Sequence, residues 1–270
     1  MAELTLRQQN ESDYYDTFSK NYDLGHEIDL SIIDNQKQGL ETRDWNSYWA
    51  FFKQVVNAYS EGSRLLDFGC GAGHDAVRFA HAGYDVCGFD ISEGNCNAAR
   101  HFASRYELSD KINISVETAE ALSYEDGFFD VVAGVDVLHH VDIPNAIRET
   151  YRVLKPGGVA FFREPVVIPV FDTIRNTRLV KHFFPNSKSF DQHTHITEDE
   201  RKLNKEDLSI IKATFPDAQI SRFDALAKFY RLAPWMSLAD VQKIDHQFIR
   251  LIPGMHHFGG GMILTLSKPK

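Results

Sequence analysis

Cysteine is scarce: Cys70, Cys87 and Cys96 are the only three in 270 residues, and none forms a C-x-x-C pair. So sparse and odd a set excludes a disulfide framework and reads as reduced thiols, which places the chain in the cytoplasm. No uninterrupted apolar run approaches the ~18 residues that a membrane-spanning helix requires. The opening MAELTLRQQNESDYY has no apolar core of the signal-peptide kind. Positive charge is also short, since 29 Lys and Arg against 38 Asp and Glu leave a net charge of −9. Chains that hold nucleic acid present a basic face to its phosphates, so no nucleic acid is expected as a partner. No internal repeat is present. The rest is ordinary for a globular chain, at 43% hydrophobic and 25% charged residues.

Along the chain, residues 10–60 read as helical and aromatic-rich. Tyr14, Phe18 and Tyr22 recur at i, i+4 and i+8, and WNSYWAFFKQVVNAYSEG is a second amphipathic stretch. From residue 63 short apolar runs alternate with helical segments. Strands are predicted at 64–68, 84–89, 112–116, 129–134 and 158–163, with helices near 74–82, 92–106 and 143–153. Such alternation implies parallel βαβ units with helices on both faces of the sheet. After Glu164 the pattern breaks into a mixed segment that reads as an inserted cap. A helix at NKEDLSIIKATF, a strand near 218–223, a helix near 237–251 and a last strand at GGMILTLSK then follow. The expected fold is α/β, a doubly wound, mostly parallel seven-stranded Rossmann-like sheet. Residues 1–62 form an N-terminal helical lid, 63–164 the core, 165–203 the cap and 204–270 the remainder of the core sheet.

The stretch LLDFGCGAGHDA runs a strand through three glycines into a helix. Glycine lets the backbone turn sharply and approach a ligand, and the following helix offers unpaired N–H groups. Gly71, Gly73 and Ala76 satisfy the dinucleotide spacing G-x-G-x-x-A, with Asp90 in place of the ribose-binding acid. That frame alone allows an NAD-dependent oxidoreductase. Asp67 argues otherwise, because a carboxylate beside a pyrophosphate adds like-charge repulsion, whereas beside an ammonium or sulfonium it is favourable. Two structural readings stand alongside: Asp67 as a turn cap and Asp90 as the N-cap of the next helix.

LLDFGCGAG, VCGFDIS, AEALSYEDGFFDVV, VLHHV and RVLKPGG occur in the order and spacing of class I S-adenosylmethionine-dependent methyltransferases. Over residues 63–164 the chain resembles that family, with a methyltransferase type 11/25-like core. The resemblance implies S-adenosylmethionine as cofactor, held by Asp67, Gly69, Cys70, Gly71 and Gly73. Asp90 would accept from the ribose hydroxyls and Ile91 would cover the adenine. Thr118 stands where relatives often have an acid, which leaves Ala119 and Glu120 as alternatives at the adenine, and Gly134 and Val135 would flank the methionine portion. RVLKPGG is read as a structural helix-to-strand turn.

Methyl transfer needs a nucleophile held in line, water excluded and, for an alcohol or ammonium, a proton removed. His140 and Glu164, at the carboxyl ends of the fourth and fifth strands, are the catalytic candidates; packing or cofactor contact for His140 and a salt bridge for Glu164 are the alternatives. His139 is read as a packed or surface neighbour in the substrate and lid region. Tyr14, Tyr15, Phe18 and Tyr22 in YYDTFSKNYD resemble a lid, and core packing explains them equally. Asp191, His193 and His195 lack the ligand number of a metal site, so no metal is expected; His256 and His257 read the same way. KFYRLAPWM and IRLIPGMHHF are preferred as the seam between cap and sheet, with an apolar tunnel or peripheral membrane contact as alternatives. The expected activity is methyl transfer to oxygen or nitrogen of a small molecule, a lipid-linked acceptor included. A non-catalytic cofactor-binding scaffold partnered with another methyltransferase is a further alternative. Oligomeric state is not legible.

Overall fold

The computed structural model describes residues 4–40, 42–166, 202–225, 227, 230 and 235–270. Most of the expected cap, with Asp191, His193 and His195, and most of KFYRLAPWM lie outside the described residues. Three helices come first: α1 (Leu6–Ser19), α2 (Ser31–Lys37) and α3 (Ser47–Ala58). The core follows as β1 (Arg64–Phe68), α4 (His74–Ala82), β2 (Asp85–Asp90), α5 (Glu93–Arg105), β3 (Ile112–Val116), β4 (Phe129–Val135), α6 (Ile143–Val153) and β5 (Leu154–Pro165). After the undescribed segment come α7 (Lys205–Thr214), β6 (Gln219–Phe223), α8 (Leu238–Leu251) and β7 (Gly261–Ser267).

The seven strands form one sheet in the order β3-β2-β1-β4-β5-β7-β6. The first five run parallel, and β7 lies antiparallel between β5 and β6. Strand order therefore reverses direction between β1 and β4, and a crevice opens there at the carboxyl ends of the strands. β1 is central and buried on both faces, so it reads as a continuous apolar run, Leu65, Leu66 and Phe68, interrupted only by Asp67. One core lies between the sheet and α2–α5, around Ile33, Phe51, Phe52, Phe79 and Phe102. The other lies on the α6 and α7 face, around Phe68, Phe129, Ile147, Phe162 and Phe215.

Local chemistry explains the boundaries. Ser92 and Asp142 accept the Asn95 and Asn145 amides and start α5 and α6. In α6, Ile143, Ala146, Ile147, Thr150 and Val153 are buried at helical spacing. KPGG differs from the expected simple turn. Leu154 already pairs with Phe129, and pairing resumes at Val159 opposite Val131, so residues 155–158 bulge out within β5.

The helix α1 also departs from expectation. It ends at Ser19, which leaves Tyr22 beyond it, and its buried residues are Glu11 and Ser12 rather than the aromatics. Hydrogen bonds hold it. Asp16 Oδ1 accepts from Ser92 Oγ at 2.5 Å and from the Gly94 amide at 2.9 Å, placing a carboxylate at the N-terminus of α5. Ser12 donates to the Ile91 carbonyl at 3.2 Å, and Gln8 donates to Glu120 at 2.9 Å. Gly94 permits the approach, since a Cβ there would stand 2.1 Å from Ser19 Oγ. Replacing Asp16 by alanine is expected to loosen α1 selectively: its amides should exchange with deuterium faster while those of β1 and β4 stay protected. Unchanged exchange in α1 would assign the docking to other contacts.

Candidate functional site

The crevice is made by the turn after β1, the end of β2, the turn after β3 and the end of β4, with α1 across the top. Gly69, Gly71 and Gly73 all have positive φ, at 72°, 49° and 81°. A Cβ at Gly69 would stand 2.4 Å from Val137, and one at Gly73 would stand 2.6 Å from Ala99, so these two glycines serve close packing. A Cβ at Gly71 would meet nothing within 4 Å, because it would project into open space in the crevice. The turn is thus a cradle whose middle glycine borders open space shared by two cavities.

Asp90 ends β2 and is 9% exposed. Its Oδ2 accepts the Gly71 amide at 3.0 Å, and its Oδ1 accepts the Ser92 amide at 2.9 Å and Asn95 Nδ2 at 3.1 Å. Ser92, not Asp90, is the N-cap of α5, so the cap role belongs to the neighbour. Two carboxylate oxygens offer about four acceptor sites, and the three bonds leave capacity for a ligand hydroxyl. Burial raises the Asp90 pKa, and the three protein donors oppose that rise. Tyr22 donates to Asn95 Oδ1 at 2.9 Å; burial first, and the Asp90 charge second, lift its phenol to about 12 and keep it a donor.

Asp67 is buried in the central strand β1, and its Oδ2 has no hydrogen-bond partner among the described residues. Burial pushes its pKa well up, the Asp75 and Asp90 charges add to the rise, and the Ala76 amide opposes it. A buried acid so placed is relieved by a cation. It lines a cavity of about 330 Å³ with Tyr48, Gly69, Cys70, Gly71, His74 and Arg78. A second cavity of about 210 Å³ shares Gly69, Gly71 and Val135 with the first and continues over Asp90, Ile91, Ala119 and Glu120.

The structure distributes the remaining sequence candidates unevenly. Tyr15, Tyr22 and His140 line the second cavity, whereas Tyr14, Phe18, Thr118 and Gly134 are not among its lining residues. Gly134 instead packs under Phe162, 2.8 Å from where its Cβ would stand. Next to Thr118, Glu117 faces the cavity, and its oxygens accept the Ser123 amide and hydroxyl, each at 2.8 Å. Glu120 accepts the Asp142 amide at 2.9 Å besides Gln8. His139 lies beside a small neighbouring pocket with Arg7 and Asp207.

Glu164 is fully engaged by the fold. Its Oε1 accepts the Val137 and Leu138 amides at 2.9 and 2.7 Å, and its Oε2 lies 2.8 Å from His139 Nδ1. Those bonds set the short 3₁₀ turn Leu138–His140, which presents His140. Sequence reasoning passed over Arg7, Gln8, Glu11 and Asp136, which also line the second cavity. Asp136 is a non-glycine residue at φ 53°, paired with Arg163 at 2.7 Å. The α1 polar residues carry no periodic signal, so only their placement reveals them. Among the described residues no group of three or more His, Cys, Asp or Glu could hold a metal, and no helix is long and apolar enough to cross a membrane. Leu251 and Ile252 of IRLIPGMHHF remain exposed.

Residues 66–162 match the family model described as a methyltransferase domain. The chain is 38% identical over 110 residues to the 27-O-demethylrifamycin SV methyltransferase of Amycolatopsis mediterranei, covering 40% of each. It is 42% identical over 99 residues to a ubiquinone biosynthesis O-methyltransferase of Ruegeria pomeroyi, covering 36% of this chain and 39% of that one. The matched stretch thus spans about two fifths of these relatives' length. In fold, the chain resembles the geranyl diphosphate C-methyltransferase of Streptomyces coelicolor solved with Mg2+, geranyl diphosphate and S-adenosyl-L-homocysteine. The TM-score is 0.59 at 16% identity, over 99% of this chain and 100% of that one.

Two consequences can be measured. Because burial raises the Asp67 pKa, the ionised acid lowers native-state stability above its unfolded value of about 4. Asp67→Asn is therefore expected to melt higher than the parent at neutral pH, with the gap closing as pH falls toward about 4; a lower melting temperature at neutral pH would mean the carboxylate is compensated. Asp90→Ala should weaken S-adenosylhomocysteine binding by calorimetry roughly tenfold to a hundredfold, the worth of a hydrogen bond to a charged group. Unchanged affinity in the folded variant would leave Asp90 as a fastener of the glycine turn alone.

Proposed function

We propose that this chain, whose residues 66–162 match the methyltransferase-domain family model, transfers a methyl group from S-adenosylmethionine to a small-molecule acceptor, with oxygen favoured over nitrogen. The observation that carries the cofactor assignment is the buried Asp67, whose Oδ2 has no partner among the described residues, beside a glycine cradle that opens toward Asp90. An acid pair of this kind suits a guest with an ammonium, a sulfonium and two hydroxyls, and disfavours a pyrophosphate. The Asp67 carboxylate opposes the dinucleotide of an oxidoreductase on the same ground. The names of the two relatives support oxygen as acceptor atom.

When bound, the cofactor supplies a methyl group on a positively charged sulfur. The chain's residues do the rest. Asp90 accepts from ribose hydroxyls with the capacity its three protein donors leave, and bonds to an ionised acceptor are about twice as strong as neutral ones. Asp67 holds the ammonium from the other side of the glycine turn. Ile91 and Ala119 supply apolar surface for the adenine. α1 excludes water from above, and His140 takes the acceptor's proton, as an imidazole working near neutral pH can. Glu164 acts indirectly, by shaping the turn that presents His140.

The test is incubation with methyl-labelled S-adenosylmethionine and fractionated metabolite extract, followed by identification of the labelled product. No labelled small molecule in any fraction, with cofactor binding intact, would favour the scaffold role. On the acceptor so found, His140→Ala is expected to lower kcat by about 10²- to 10⁴-fold with cofactor affinity retained. Equal losses of turnover and affinity would mark His140 as packing.

A further inference from the structure

His140 is bracketed by two residues of α1. Glu11 Oε1 lies 3.5 Å from His140 Nδ1, and Tyr15 Oη lies 3.3 Å from Nε2. Glu11 and Tyr15 stand four residues apart, so they project from one face of the helix, and both line the cavity that holds His140. Glu11 is 5% exposed, and a carboxylate that deep in the fold is unexpected on a helix whose only other buried residue is Ser12.

We infer that Glu11 is the positioning residue of His140: it holds the imidazole proton on Nδ1 and leaves Nε2 as the basic nitrogen facing the acceptor. The inference rests on the function proposed above. At 3.5 Å the contact is an ion-pair approach rather than a hydrogen bond; a carboxylate charge at that distance still favours the ring hydrogen on the nitrogen that faces it. A neutral ring has one such hydrogen, so Nε2 keeps its lone pair and accepts from Tyr15 Oη. Tyr15 Oη thereby marks where an acceptor hydroxyl comes to give up its proton. In the transfer the acceptor oxygen bonds to the methyl carbon, the sulfur–carbon electron pair returns to sulfur, and the acceptor's proton passes to Nε2. The resulting imidazolium lies within ion-pair range of Glu11 in a poorly solvated site, where opposite charge counts for more than in water. α1 thus completes the base as well as covering it.

The test reads the tautomer directly, by ¹⁵N-resolved NMR of histidine side chains in the intact chain at alkaline pH. His140→Asn identifies the His140 signals among the 12 histidines. The expected wild-type pattern is a protonated Nδ1 and a lone-pair Nε2, and Glu11→Ala should move the hydrogen to Nε2 or average the two signals. A wild-type ring protonated on Nε2, or an unchanged pattern in folded Glu11→Ala, overturns the inference. Should Glu11→Ala fail to fold, Tyr15→Phe decides: the Nε2 signal should shift with Nδ1 still protonated, and an unmoved Nε2 signal overturns it. Calorimetry with S-adenosylhomocysteine is the separate control. Absence of binding would sink the proposed function while the tautomer result stood.

Discussion

One buried carboxylate ties the active end of this molecule together. Asp90 closes β2, accepts the amide of the glycine turn, and accepts from both Ser92 and Asn95 at the start of α5. Through those two residues it reaches the N-terminal segment. Ser92 donates to Asp16 of α1, and Asn95 accepts from Tyr22. Bonds to an ionised group are worth about 1.5–3 kcal/mol each, so a charge that burial disfavours is held by a ring of donors from separate segments. The cradle, α5 and the N-terminal segment are consequently set in one frame. A ligand that touches Asp90 touches a point to which all three are fastened.

The second acid has the opposite character. Asp67 interrupts an apolar central strand and lacks a partner for Oδ2 among the described residues. An uncompensated buried polar atom is costly in a native fold, and the like charges of Asp75 and Asp90 nearby add to the cost. Such a site is stable only to the extent that the rest of the core over-determines it, which the aromatic packing of Phe68 against Phe89 and Phe162 supplies. Strain of this kind gathers at ligand sites, and a negative charge there would favour a cationic guest.

Much of the fold was legible because its signals are local. The alternation that predicts a parallel sheet rests on short apolar runs between capped amphipathic helices, and 64–68, 112–116 and 143–153 coincide with β1, β3 and α6 residue for residue. The KPGG bulge was not legible, since a Pro-Gly pair marks a break in pairing without saying that pairing had already begun at Leu154. The site divides along the same line. Gly71 and Asp90 carry a spacing that can be read directly. Glu11, Gln8 and Arg7 carry none, because their positions depend on how a polar helix docks through Asp16, Ser12 and Gly94. The aromatic stripe of YYDTFSKNYD left lid and core packing equally open for a related reason. It has helical spacing, but the buried residues of α1 are Glu11 and Ser12, and the bonds that seat it go to an amide, a hydroxyl, a carbonyl and a carboxylate.

That polarity has a functional logic. A lid held by burial of apolar area would gain stability from closure whatever lay beneath it. A lid held by hydrogen bonds that water can replace closes with a small net gain, so what occupies the crevice weighs in the balance. The contacts of α1 fall on Ile91, Ser92 and Glu120, which border the crevice, and on His140 inside it. Seating of the helix and placement of the groups around His140 are then one geometric event. On the function proposed, α1 brings Glu11 to the imidazole and covers the crevice together.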